Sequence, residues 1–144
     1  MQRTVTGILN DKGSTVWSVG PGDTIFGALG AMAEHNIGAV MVLDGENLVG
    51  ILSERDYARK VILAERGSKE TRVSEIMTTD IRTVGTSSTV AECMELMTEY
   101  RIRHLPVLDD EGRLAGVVSI GDIVKAMIAQ QHDLITQLER YIST

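Results

Sequence analysis

The sequence predicts an α/β fold of the α+β kind. It is built from two copies of one β-α-β-β-α unit, with a short helix before them and a long helix after. Three observations predict it. First, residues 16–44 match 81–109 at a shift of 65, and 48–60 match 114–126 at a shift of 66. The thirteen identities include Val19/Val84, Gly50/Gly116, Ser53/Ser119 and Asp56/Asp122, where about three would arise by chance. Second, each copy alternates short β-branched or wholly apolar runs with a stripe of helical period. Third, Gly and Asp clusters punctuate both copies at matching places.

The elements follow in order. Thr4–Lys12, with Val5, Ile8 and Leu9 on one side, predicts a short helix. Val16–Val19 and Ile81–Val84 predict strands that stop at Gly20 and Gly85. A helix follows in each copy. In the first, Asp23 or Thr24 caps it, and Ile25, Ala28, Leu29 and Met32 form the stripe. In the second, Ser88 or Thr89 caps it, before Val90, Cys93, Met94, Met97 and Ile102. Ala39–Leu43 and Leu105–Leu108 are almost wholly apolar, as doubly covered strands are. Asp44–Asn47 and Asp109–Gly112 carry turn chemistry, so Leu48–Leu52 and Leu114–Val118 return as the second arms of hairpins. Ser53 and Ser119 open the last helix of each unit. Leu134, Ile135, Leu138 and Ile142 extend the second of these helices to the end of the chain and cover apolar surface, in their own chain or in a partner. The expected divisions are 1–15, an N-terminal helical segment; 16–66, the first repeat; 67–80, a linker; 81–130, the second repeat; and 131–144, a C-terminal helix.

Composition narrows the function. The 144 residues are 43% hydrophobic and 24% charged, with 14 basic against 20 acidic side chains and a formal charge of −6. That core fraction suits one domain or one paired repeat. The acidic balance argues against nucleic acid and against an anionic membrane surface as partner. No apolar run reaches the length of a membrane span, and the first residues carry no secretory h-region, so a cytoplasmic protein is expected. Cys93 is the one cysteine, which excludes an intrachain disulfide and a thiolate zinc set; it sits on a helix stripe as an inert core thiol. His35, His104 and His132 are scattered and make no metal site.

The chemistry concentrates at Gly50-Ile51-Leu52-Ser53-Glu54-Arg55-Asp56 and Gly116-Val117-Val118-Ser119-Ile120-Gly121-Asp122. Both read Gly-apolar-apolar-Ser-x-x-Asp where a strand runs into a helix. Such a turn offers a phosphate the helix N-terminus and a hydroxyl. It offers a ribose an aspartate one turn in. The bland alternative is a capping box, in which Ser and Asp serve only the helix start. Two occurrences at matching repeat positions favour a signature.

The run Val73-Ser74-Glu75-Ile76-Met77-Thr78, with Thr83-Val84, Ile102-Arg103-His104-Leu105-Pro106-Val107 and Gly116–Asp122, resembles a cystathionine-β-synthase (CBS) domain; the first copy is similar but more divergent. The resemblance covers about residues 4–130. It implies a tandem CBS pair, or Bateman module: two units packed through their sheets, two clefts related by a pseudo-twofold axis, and dimerisation into a flat disc as a homodimer through the repeats. It implies adenosine ligands: AMP, ADP, ATP, NAD or S-adenosylmethionine. Carried over by residue, Asp122 holds the ribose of one cleft and Ser119 its phosphate side. Thr83 and Val84 line base and sugar, Ile76 and Met77 sandwich the adenine, His104, Leu105 and Pro106 form the wall, and Arg103 meets phosphate. In the other cleft Asp56 and Ser53 take these roles, with Ser18 and Val19 beside them, Gly38, Ala39, Val40 and Met41 as wall, and Arg55 toward phosphate. The first copy lacks the His and Pro of the second, so its cleft is expected to be weaker, differently selective or empty.

No catalytic constellation is visible: no Gly-x-Ser-x-Gly, P-loop, Gly-x-Gly-x-x-Gly or His-Glu-x-x-His. The expectation is a stand-alone regulatory module that binds an adenine nucleotide, uses no metal, and signals occupancy to a target protein. Three alternatives stay open: an NAD(H) or NADP(H) redox-state sensor, a ligand-free oligomerisation scaffold, and a cryptic nucleotide hydrolase.

Overall fold

The computed structural model describes residues 3–143; Met1, Gln2 and Thr144, at the ends of the expected 1–15 and 131–144 segments, lie outside the described residues. The chain is mixed α/β with two three-stranded sheets. It divides into two compact units. One is Val16–Ile81; the other joins the first fifteen residues to Arg82–Thr144. The division departs from the expected segments. The 67–80 stretch is structurally part of the first repeat's unit, and the N-terminal helix is part of the second's.

In the unit of the first repeat, β1 (Ser18–Val19) pairs parallel with β2 (Ala39–Asp44), which pairs antiparallel with β3 (Asn47–Ser53). The helix α2 (Ile25–His35) makes the parallel crossover, as strands of one direction require. Its cap is Thr24, whose side chain accepts from Gly27 N, and it ends at Asn36 in the left-handed region (φ 53°). The hairpin turns through Gly45 (φ 63°). After β3 come α3 (Glu54–Tyr57), a π-helical turn (Ala58–Ile62) and the short α4 (Val73–Ile76). Ile25, Ala28, Val40, Val42, Leu52, Val61, Val73 and Ile76 form the core.

In the other unit, α1 (Val5–Lys12) precedes β4 (Val84–Gly85), α5 (Val90–Tyr100), β5 (His104–Leu108), β6 (Leu114–Ser119) and α6 (Ile120–Ser143). β4 pairs parallel with β5, and β5 antiparallel with β6. Both hairpins shift register at the same repeat position, Val42/Leu43 and Val107/Leu108. Val5, Ile8, Val90, Cys93, Leu105, Val107, Val118 and Ile123 form its core.

α1 and α4 do equivalent work. Val5 N donates to Ser88 O at 2.9 Å, and Val73 N donates to Asp23 O at 2.8 Å. Each helix seats a side chain over a motif glycine. A Cβ on Gly116 would lie 2.7 Å from Leu9 Cδ2, and one on Gly50 would lie 2.5 Å from Met77 Sδ. With glycine at the head of both motifs, Leu9 and Met77 lie directly against the strand, and a larger residue would make these side chains shift. The short α4 was not read from the sequence, because four residues carry no period to read.

Candidate functional site

Each motif spans the end of a strand and the start of a helix. In the second repeat, the Asp122 carboxylate accepts from Ser119 N at 2.8 Å, and Asp122 N donates to Ser119 Oγ at 3.2 Å. Ile120 N donates to Arg103 O at 2.8 Å, which ties the helix start to β5. In the first repeat, Asp56 accepts from Ser53 N at 3.0 Å, and Asp56 N donates to Ser53 Oγ at 3.1 Å. Glu54 N donates to Gly38 O at 3.0 Å. Both turns are thus reciprocal helix caps, each worth about 1 kcal/mol to its helix. The capping alternative is realised twice.

Both carboxylates also meet a lysine, though from different directions. Lys12, on α1, places Nζ 2.7 Å from Asp122 Oδ2 and donates to Val117 O at 3.0 Å. Lys60 lies one turn beyond Asp56 on the same stretch, 3.2 Å from Oδ1. Thr78 Oγ1 also donates to Asp56, at 3.2 Å. Partial burial would raise the Asp122 carboxyl, but the Lys12 contact and the Ser119 donors outweigh it and hold the group below its ordinary value. Beside it, His104 stands opposite Ser119 in the hairpin. Burial, then the Lys12 charge, push its imidazole below the ordinary value against the pull of Asp122.

Asp122 and Lys12 border a cavity of about 460 Å³, with Arg3, Asp11, Ile8 and Lys125 around it. Three of these side chains are cationic and two are carboxylates, and Lys12 is already paired with Asp122.

The remaining predicted residues fall into clear places. Ile76 and Met77, expected beside Asp122, lie instead in the unit of Asp56: Ile76 is in its core and Met77 packs against it. The structural reason is pairing of Ile51 with Thr78, which draws the segment onto β3. The matching places in the Asp122 unit belong to Ile8 and Leu9. Leu105, Val40 and Met41 are buried in the core and Pro106 is buried in β5, so these wall positions have buried side chains. Thr83 is exposed and lies just before β4, whereas its counterpart Ser18 is within β1. The backbone explains this: Met41 N donates to Trp17 O at 3.2 Å, a bond that Pro106, at the matching position, has no N–H to make. Arg55 and Arg103 are exposed. Val84 is buried, while Val19, Gly38 and Ser53 are partly so. Trp17 stacks on His35 with ring centroids 3.4 Å apart.

Sequence reasoning missed Lys12, Lys60 and Thr78. Lys60 at four residues from Asp56 had a readable signal, the i,i+4 ion-pair spacing. Lys12 is 110 residues from Asp122 and had none.

A CBS-domain family model matches residues 14–63 and 73–129. The chain therefore belongs to the CBS-domain family, and carries the domain twice. It is 39% identical over 149 residues to the mitochondrial CBS domain-containing protein CBSX3 of Arabidopsis thaliana, covering 96% of this chain and 71% of that protein. The CBS-domain containing protein ATU1752 of Agrobacterium tumefaciens, a solved structure, is 41% identical with a TM-score of 0.83, over 88% of this chain and 95% of that one. The CBS domain pair of protein MJ0100, solved in complex with 5-methylthioadenosine and S-adenosyl-L-methionine, is 27% identical with a TM-score of 0.78, over 90% and 99% of the two chains. Among the described residues, no helix is long and apolar enough to cross a membrane, and no cluster of His, Cys, Asp and Glu could hold a metal ion.

Proposed function

We propose that this chain is a regulatory module, not an enzyme, that binds an adenine nucleotide (AMP, ADP or ATP) at its Ser-x-x-Asp turns and passes occupancy to a target protein. The observation that carries the reading is the duplicated strand-to-helix turn with its partly buried carboxylate, which at Asp122 borders a cavity lined also by Arg3, Lys12 and Lys125. Its likeness to a CBS pair solved with two adenosine compounds supports the ligand class. In this reading Asp122 turns from Lys12 to the ribose hydroxyls, and Lys12, Ser119 and Arg103 meet phosphate. Thr83, outside the strand ladder, offers backbone groups to base and sugar, with Val84 beside it. Asp56, Ser53, Ser18, Val19 and Arg55 take the corresponding roles in the other unit, with Met77 beside them. The working form is a homodimer. Binding shifts its shape only by the ligand's differential affinity for the states involved.

A second reading has its own support. Both carboxylates are already satisfied by helix-start donors and a lysine, which is what an oligomerisation scaffold with no ligand would show. Titration calorimetry with AMP, ATP, NAD and NADH separates the two, together with ultraviolet absorbance of ligand retained on purification. Binding of AMP or ATP at one or two sites per chain supports the nucleotide reading. Preference for NAD or NADH redirects it to a redox-state sensor. Silence with all four leaves the scaffold.

A further inference from the structure

We propose that the outer face of α6 pairs antiparallel with the same helix of a second copy of this chain. The inference rests on the homodimer reading above and names its surface.

α6 has two apolar faces. Ile123 and Ala126 are buried in the core, and further along Asp133 pairs with Arg3 at 2.8 Å. These face the body of the unit. On the opposite side stand Val124, Ile128, Gln131, Ile135, Leu138 and Ile142, spaced by four and three residues alternately. That is the seam of a coiled coil. All five apolar members of the seam are exposed, from 44% at Val124 to 80% at Ile142. A solvated helix does not need this regularity, and a lone apolar stripe of this kind is a partner surface.

The flanks say which partner and which direction. With Ile128, Ile135 and Ile142 at one seam position and Val124, Gln131 and Leu138 at the other, the flanking residues are Lys125, His132 and Glu139 on one side. Met127, Leu134 and Tyr141 lie on the other. An antiparallel pair centred on residue 133 sets Ile128 against Leu138 of the second copy, Val124 against Ile142, and Gln131 against Ile135. It also sets Lys125 against Glu139 twice, and joins the Leu134 flanks. A parallel pair would stack Gln131 on Gln131 but set Glu139 against Leu134 and leave Lys125 without an acid. Charge complementarity therefore selects the second copy, reversed.

The test is sedimentation of the full chain with variants on this exposed face. The wild type is expected to be a dimer. Ile135→Asp shifts it to monomer while circular dichroism stays native. Lys125→Glu and Glu139→Lys each weaken association about tenfold, and the double exchange restores it. Under oxidation, Ile128→Cys/Leu138→Cys cross-links between copies, and Leu138→Cys alone does not. A wild-type monomer overturns both this surface and the homodimer reading. A dimer indifferent to Ile135→Asp and to the charge reversals overturns the surface alone. Self-cross-linking of Leu138→Cys overturns the antiparallel direction.

Discussion

The two units start from the same motif and diverge at the strand that faces it. In the Asp56 unit, β2 offers Ala39, Val40 and Met41, and the Met41 amide completes the ladder with Trp17. In the Asp122 unit, the matching residues are His104, Leu105 and Pro106, and the proline withholds that amide. Ser18 is consequently in a strand and Thr83 is not. The acids differ in parallel. Asp56 is held by Ser53, Thr78 and a lysine on its own helical stretch. Asp122 is held by Ser119 and a lysine borrowed from α1. A local set of partners forms with its own helix. A remote lysine reaches its acid only when α1 is docked on the unit. The comparison teaches that one fold anchors the same acid through local partners in one unit and through a distant helix in the other.

The largest expected effects test what the units share. Ile8→Ala and Ile76→Ala each remove a buried anchor between a short helix and its sheet, and each should cost about 2–4 kcal/mol in urea unfolding. A negligible loss in Ile8→Ala alone would break the equivalence of α1 and α4.

Smaller effects test where they differ. Lys12→Ala should cost at most about 1 kcal/mol near pH 7, since both partners reach solvent. The sign follows from Asp122's lowered value. Its contribution is complete above the ordinary value of 3.8 and disappears as pH falls through the folded-state value. Lys12→Ala should therefore flatten the acid limb of the stability curve. Lys60→Ala should cost less than Lys12→Ala near neutral pH, because Thr78 and Ser53 keep their bonds to Asp56. Equal losses would contradict the local-against-remote distinction.

His104 sharpens the same contrast, for Ala39 in its place cannot titrate. Its lowered value means the unfolded chain takes up the proton first. Stability is then complete above the ordinary value of 6.5 and is lost as pH falls from there toward the folded-state value. NMR titration should place His104 below 6.5, and a midpoint above 6.5 would refute its desolvation. The smallest effect is at Cys93, whose thiol is pushed up to about 11 by burial and then by Glu92. Thiol reagents should modify it only on unfolding; rapid reaction in the native protein would show the core around it open.

Much of this was legible in the residues. Repetition gave the two units, because identical side chains at a fixed shift must fold alike. The hairpins showed in Gly45 and Gly112, both at positive φ. The serine–aspartate turns showed as caps and as candidate pockets together, since one geometry serves both. What escaped was long range. The sequence does not show that Met77 folds back on Gly50, or that Lys12 crosses to Asp122, because packing decides both. The loss of a strand pair opposite Pro106 could have been read, as proline's missing donor is a local fact.

The most direct measurement compares nucleotide affinity in Asp122→Ala and Asp56→Ala by calorimetry. Asp122→Ala should weaken AMP or ATP binding at least tenfold, about 1.4 kcal/mol, and Asp56→Ala less. Affinity unchanged in Asp122→Ala would contradict the account, and reduce Asp122 to the helix cap it visibly is.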